Sequence, residues 1–322
     1  MPVRDPLDLR LDDADPRVAA ARDAERRLFA VYGLEARTHF IPLPESGLRL
    51  RVLEIGSGKP IVVVPGNTGD VFPLASLLAQ FPQRRILAVN RPGGGLSEGM
   101  DHRAVDLRSF AVQTLTAVFN AFALDRAPVI AHSMGGHWSL WLAMDRPERV
   151  SALTLLGAPG NVLHTRPPLA LRLLALPGLN GLLFDRILSQ SRGQSLRSLT
   201  FMGHPAETLA RQPAELGDCY FHFQNLPHYR ISSLSLMQRT SPLSDQKPAI
   251  RITADQLRQV RQPVLFLWGE RDPFGSVAVG QEIARQMPDA AFHALPRSGH
   301  LPWLDDPDTC GRLAREFFDW NE

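Results

Sequence analysis

The sequence predicts an α/β fold: a mostly parallel eight-stranded sheet with helices on both faces and an inserted helical cap. Three observations carry that expectation. Continuous β-branched runs such as Ile61-Val62-Val63-Val64 mark strands buried on both faces of a parallel sheet. Such runs alternate with helix-patterned stretches across short connections. The alternation stops near Asn161 and resumes near Pro263, with helical text punctuated by Pro and Gly between. The expected division is an N-terminal helical extension over 1–37, a core over 38–160 and 256–322, and a cap over 161–255.

Asp15-Pro16 opens the first helix, with Asp as cap and Pro at the first helical position. It runs to about Tyr32, stops at Gly33 and packs on the outside of the main domain, with Val18, Ala21, Leu28 and Val31 as its buried stripe. Two strands follow, Thr38 to Leu43 and Leu48 to Glu54, split by the turn Pro44-Glu45-Ser46-Gly47. Leu48, Leu50 and Val52 alternate with Arg49, Arg51 and Leu53, so this pair should face water on one side. Ile61 to Val64 and Arg85 to Asn90 are buried strands, separated by a helix over Val71 to Gln80. Glycine-rich Arg91-Pro92-Gly93-Gly94-Gly95-Leu96-Ser97 leaves the second of them, and a helix spans Val105 to Leu124. Pro128 to Ala131 and Ala152 to Leu156 are strands, with a helix from His137 to Met144 between them. Leu169 to Leu188 is strongly apolar; cap helices have to satisfy both the domain and a cavity, so an apolar cavity is expected beneath them. Pro263 to Trp268 and Ala290 to Leu295 complete the sheet, around a helix over Ser276 to Gln286 and before a last helix over Pro307 to Trp320.

Composition excludes several classes. The chain has 322 residues, 44% of them hydrophobic and 21% charged, enough to bury a large core. Its 35 basic and 33 acidic residues leave a net charge of +2 and are spread along the chain, which counts against nucleic acid as a partner. Cys219 and Cys310 form no disulfide framework or zinc signature, which leans toward a reducing, cytoplasmic setting. Met1 to Asp15 lacks the apolar core of a signal peptide, and no apolar run approaches about 18 residues, so no membrane segment is expected.

Chemistry in such a sheet collects at the carboxyl ends of its strands. Ala131-His132-Ser133-Met134-Gly135 places a serine between a strand and a helix, flanked by the small residues that a tight turn needs. That turn lifts the Ser133 hydroxyl and aims the Met134 N–H toward charge forming beside it. Asp272 ends a later strand, and His300 lies in the loop after the last one. A serine nucleophile needs a base, and the base needs an orienting acid. Taken singly, each residue also fits a plain role: a helix cap, a turn, a loop histidine. Together they stand at successive strand ends in the order serine, acid, histidine.

The chain resembles the α/β-hydrolase fold superfamily, in its cap-bearing serine hydrolase branch, from about Thr38 to Glu322. The resemblance rests on Val64-Pro65-Gly66-Asn67, Asn90-Arg91-Pro92-Gly93-Gly94-Gly95-Leu96-Ser97, Ala131-His132-Ser133-Met134-Gly135-Gly136, Leu267-Trp268-Gly269-Glu270-Arg271-Asp272 and Ser298-Gly299-His300-Leu301-Pro302-Trp303. It implies Ser133 as nucleophile, Asp272 as orienting acid, His300 as general base, and the backbone N–H groups of Asn67 and Met134 as the oxyanion hole. Pro65 departs from the family's His before Gly, but the donor position is Asn67. A serine at position 133 argues against dehalogenase and epoxide hydrolase relatives, which use aspartate. His132 and Trp303 are expected to wall the pocket, while His137, like His132, fits a packing role.

The expected activity is cleavage of a carboxylic ester, lactone or thioester of a small apolar substrate through an acyl-enzyme, with no metal or organic cofactor. One alternative is a carbon–carbon bond hydrolase of a dienoic diketone-type acid, which wants a cationic anchor such as Arg91, Arg166, Arg172 or Arg230. Another is a non-catalytic binding protein on the same scaffold. A small-molecule substrate is the expected partner, and a homodimer is left open.

Overall fold

A computed structural model describes residues 9–321 except 174, 177–179, 181–183, 185–190, 192–193 and 242–248. The expected apolar helices over Leu169 to Leu188 fall largely outside the described residues; Leu169–Leu173 is helical. The alternating and β-branched runs form one eight-stranded sheet: β1 (Ala36–Pro42), β2 (Arg49–Ile55), β3 (Lys59–Val64), β4 (Arg84–Val89), β5 (Ala127–His132), β6 (Val150–Leu156), β7 (Val264–Gly269) and β8 (Ala290–Leu295). The order across the sheet is β1-β2-β4-β3-β5-β6-β7-β8. β1 with β2 and β2 with β4 run antiparallel, and every other pair is parallel. The strand order reverses between β3 and β5, which opens a crevice at their carboxyl ends.

Helices cover both faces. Leu107–Ala121, capped by the Asp106 side chain, packs with Met134–Asp145 on one face, and Val277–Arg285 lies beside β7 and β8. Pro307–Asn321 packs against β6 and β7 and against the short helix Ala75–Leu78. Between β6 and β7 lies the helical insert, with Ala206–Arg211, Ala214–Gln224 and Tyr229–Thr240. A parallel bridge, Val162 to Ile252, ties its two ends together. Among the described residues, no helix is long and apolar enough to cross a membrane.

The first helix, Pro16–Val31, begins as expected, with the Asp15 carboxylate accepting from Arg17 N–H. Its stripe needs one correction. Val18, Ala21, Ala24, Leu28 and Phe29 are buried, while Val31, at the edge of that arc in the last turn, is 51% exposed. The helix also overturns the reading of β2 as open to water. Leu53 and Ile55 pack in the same apolar cluster as Val18 and Leu28. Arg51 is buried because Glu25 of the helix meets it, Nη2 to Oε2 at 2.6 Å, and it also donates to Asn90 Oδ1 at 3.0 Å. On this side the sheet ends at β1, where Ile41 is the one buried residue.

Candidate active site

Ser133 stands where β5 turns into the helix Met134–Asp145, with φ +50° and ψ −115°. That conformation is unfavourable for an L-residue by on the order of 1–3 kcal/mol, so the surroundings must impose it. Ser133 N–H donates to Leu156 C=O at 3.3 Å, and its own carbonyl accepts from His137 N–H at 3.1 Å. The helix start is pressed onto the end of β3. A Cβ on Gly135 would lie 2.3 Å from the Val64 carbonyl oxygen, so only glycine permits this approach. Met134 opens the helix, and its N–H has no carbonyl one turn back to bind. Met134 and Asn67 both border the cavity above Ser133.

His300 Nε2 is 2.9 Å from Ser133 Oγ, and His300 Nδ1 is 2.8 Å from Asp272 Oδ2. Asp272 Oδ2 also accepts from Ala158 N–H at 2.8 Å, and its Oδ1 accepts from Phe274 N–H at 2.9 Å. Three donors thus fix the carboxylate. With the Nδ1 proton on the Asp272 side, the Nε2 lone pair faces the serine hydroxyl. The Phe274 ring stacks on the imidazole at 4.1 Å.

His132 lies against His300, ring centres 4.7 Å apart, and donates from Nε2 to the His300 carbonyl at 3.1 Å. Burial, with electrostatic interaction with the adjoining His300 ring next, drives the His132 pKa well below its ordinary value, so His132 is a neutral imidazole. Trp303 meets His132 edge-on at 4.8 Å and donates its indole N–H to Pro73 C=O at 2.7 Å. Both residues border the cavity, and Trp303 packs on His132, which in turn packs on His300. The structure therefore brings Ser133, Asp272, His300, Asn67, Met134, His132 and Trp303 to one place. His137 instead turns away, its ring bonded to the Gly160 carbonyl.

Arg91 is placed otherwise than as a carboxylate anchor. It is fully buried, donates from Nε to Pro65 C=O at 3.1 Å and from Nη2 to Gly66 C=O, and lies 4.7 Å over the Trp138 ring. Burial lowers its pKa to about 9, against an opposing pull from Asp70. Gly66 C=O and Asn67 N–H belong to one planar trans peptide. A cation bound on the carbonyl side therefore sets the direction in which the Asn67 N–H points.

The cavity, of about 210 Å³, lies between sheet and insert and is mostly apolar, with Leu74, Phe184, Leu199 and Met237 on its walls. Arg166, Arg172 and Arg230 are not on that wall, and among the described residues it carries no Lys or Arg. Its acid is Asp70, which accepts from Gly95 N–H at 2.7 Å. Burial pushes the Asp70 carboxyl up to about 7, against hydrogen bonds from Thr68 and Gly95 that favour the charged form. Sequence reasoning passed over Asp70 and the clamp made by Arg91. A lone acid in a glycine loop after a buried strand was the available signal for the first; nothing in the text marks the second.

The model of the alpha/beta hydrolase fold family matches residues 59–307. The chain is similar to a 2-hydroxy-6-oxononadienedioate/2-hydroxy-6-oxononatrienedioate hydrolase of Paraburkholderia phymatum, 26% identical over 297 residues, covering 88% of this chain and 96% of that one. It is also similar to a 2-hydroxy-6-oxo-6-phenylhexa-2,4-dienoate hydrolase of Burkholderia cepacia, 24% identical, covering 86% and 95%. Among solved structures it resembles naproxen esterase (carboxylesterase NP) from Bacillus subtilis, with a TM-score of 0.71 at 17% identity, covering 96% and 99%.

Proposed function

The chain belongs to the alpha/beta hydrolase fold family, and from that premise we propose that it is a serine hydrolase attacking a carbonyl carbon through Ser133, His300 and Asp272. One observation carries the reading: a single imidazole spans the serine hydroxyl at 2.9 Å and a buried carboxylate at 2.8 Å. As Ser133 Oγ bonds to the carbonyl carbon, its proton passes to His300 Nε2. The N–H groups of Met134 and Asn67 hold the oxyanion. The imidazolium, steadied by Asp272, then gives its proton to the leaving atom as the bond to it breaks. Water next attacks the acyl carbon as its proton passes to His300, and His300 returns that proton to Ser133 Oγ as the acyl bond breaks and the acid leaves. In this reading the insert, over 161–255, caps the core formed by 38–160 and 256–322, and residues 1–37 are an extension that braces it.

Two bonds are open to this machinery. The names of the similar sequences support carbon–carbon cleavage in a 2-hydroxy-6-oxo dienoic acid more strongly than the ester cleavage first expected. The leaving atom is then a carbon, protonated by His300. The esterase neighbour shares the fold alone. The ester reading has one observation of its own: the described cavity wall is apolar and bears a carboxyl group, Asp70, which suits a neutral substrate better than an acid. Turnover of a 2-hydroxy-6-oxo-6-phenyl dienoate, followed by loss of its visible absorbance, and of p-nitrophenyl esters of increasing chain length decides between them. Ser133-dependent loss of the dienoate at more than about ten times the ester rate establishes the first bond. Turnover of esters alone establishes the second. Turnover of neither, with Ser133 inert, overturns the hydrolase reading.

A further inference from the structure

A second buried His–Asp pair lies beside the first. His204, in the helical insert, is 4% exposed, and its Nδ1 is 2.8 Å from Asp305 Oδ2. Leu301 N–H donates to His204 Nε2 at 3.2 Å. That bond requires a lone pair on Nε2, so the ring proton sits on Nδ1 and is donated to Asp305. With Nε2 occupied by a backbone N–H, this pair cannot itself serve as a base. Both members of the pair accept backbone N–H groups from the loop that carries His300. Asp305 Oδ2 accepts from Gly299 N–H at 2.9 Å, and His300 N–H donates to Met202 C=O at 2.8 Å. Three consecutive N–H groups, of residues 299, 300 and 301, therefore end on Asp305, Met202 and His204. The same insert segment touches the loop of the orienting acid. Gly203 has φ +84°, and a Cβ there would lie 2.1 Å from the carbonyl oxygen of Arg271, next to Asp272.

We propose that His204, braced by Asp305, is a positioning residue for His300, so that the helical insert sets the place of the base as well as covering the cavity. The inference rests on His300 acting as the base. The physical reason is reach. A displacement of about 1 Å at a reacting group costs on the order of a hundredfold in rate, and the 2.9 Å contact between His300 and Ser133 has no slack for one. Sheet ladder bonds do not hold residues 299 to 301, because β8 has already ended at Leu295. Their backbone N–H groups are held by the insert and by Asp305, while His132 holds the His300 carbonyl from the other side.

The test compares His204→Asn, His204→Gln and His300→Ala in the full chain, reading kcat, KM and the rate of reaction with a fluorophosphonate. Asn keeps a donor toward Asp305 but places no acceptor at Nε2; the Gln carbonyl reaches that point. His204→Asn should lose about 10- to 100-fold in kcat and in phosphonylation rate with KM little changed, and His204→Gln should regain most of it. A merely structural role lowers the melting temperature of both variants and leaves the rate of the folded protein alone. A folded His204→Asn within about twofold of the parent, beside a His300→Ala that is inactive, overturns this inference and spares the catalytic reading. A fully active His300→Ala removes both. Should neither His204 variant fold, long-range ¹H–¹⁵N correlation on the parent protein still tests the geometry: His204 should be neutral with the proton on Nδ1, and a protonated Nε2 contradicts it.

Discussion

Replacing Asp70 by Asn should stabilise the protein, and by an amount that grows with pH. The Asp70 carboxyl is buried on the cavity wall, and burial raises its pKa from 3.8 to about 7. In the unfolded chain the group ionises near its ordinary value, so between about pH 4 and 7 the folded state holds a proton that the unfolded state has lost. Stability must then fall as pH rises across that window. Each pH unit of the window is worth about 1.4 kcal/mol, so the cost approaches about 4 kcal/mol by pH 8. Asn keeps the acceptor for Gly95 N–H and has no charge to bury. Urea unfolding of both proteins at intervals from pH 4.5 to 8.5 should give a stability difference of about 1 kcal/mol at the acid end, rising to about 4 kcal/mol and levelling above pH 7. A difference that is independent of pH, or an Asn variant that loses ground as pH rises, refutes the reasoning. It would mean that the attraction of Arg91, which acts in the opposite direction, outweighs burial.

Ser133→Ala should abolish turnover and leave the unfolding midpoint nearly unchanged, since alanine at φ +50° carries the same backbone strain; a large loss of stability would point to a structural serine. Glu25→Ala should cost about 3–5 kcal/mol in urea unfolding, because it strands the buried Arg51 guanidinium without its carboxylate; a loss under about 1 kcal/mol would contradict that account. Arg91→Lys should lower kcat about tenfold or more with little change in KM, because one ammonium cannot clamp both the Pro65 and Gly66 carbonyls as the guanidinium fork does; an unchanged kcat in the folded variant would show that the Asn67 peptide holds its direction unaided.

Much of the fold was legible because each buried strand announces itself. Ile61 to Val64 and Pro263 to Trp268 could be read directly, since β-branched and apolar runs between turn residues have little else to become. The N-terminal helix was legible at its ends, through Asp15-Pro16 and Gly33, but not in its consequence. Arg51 reads as a solvent residue in any alternating strand. Only the tertiary contact with Glu25, 26 positions away, makes it a core residue. The same limit applies at the site. Ser133 and Gly135 sit in a local motif whose spacing is dictated by the turn, and Asp272 and His300 lie at strand ends that the sheet brings together. Arg91 and His204 act on backbone carbonyls and N–H groups far along the chain, and no spacing within the sequence records which backbone group a side chain will reach.

The most direct test of the central claim is reaction of the parent protein with a fluorophosphonate, followed by peptide mass mapping and by the labelling rate in His300→Ala. The account predicts a single adduct on the peptide containing Ser133, formed at least about a thousandfold more slowly without His300. An adduct elsewhere, no adduct, or a rate that does not depend on His300 would contradict it.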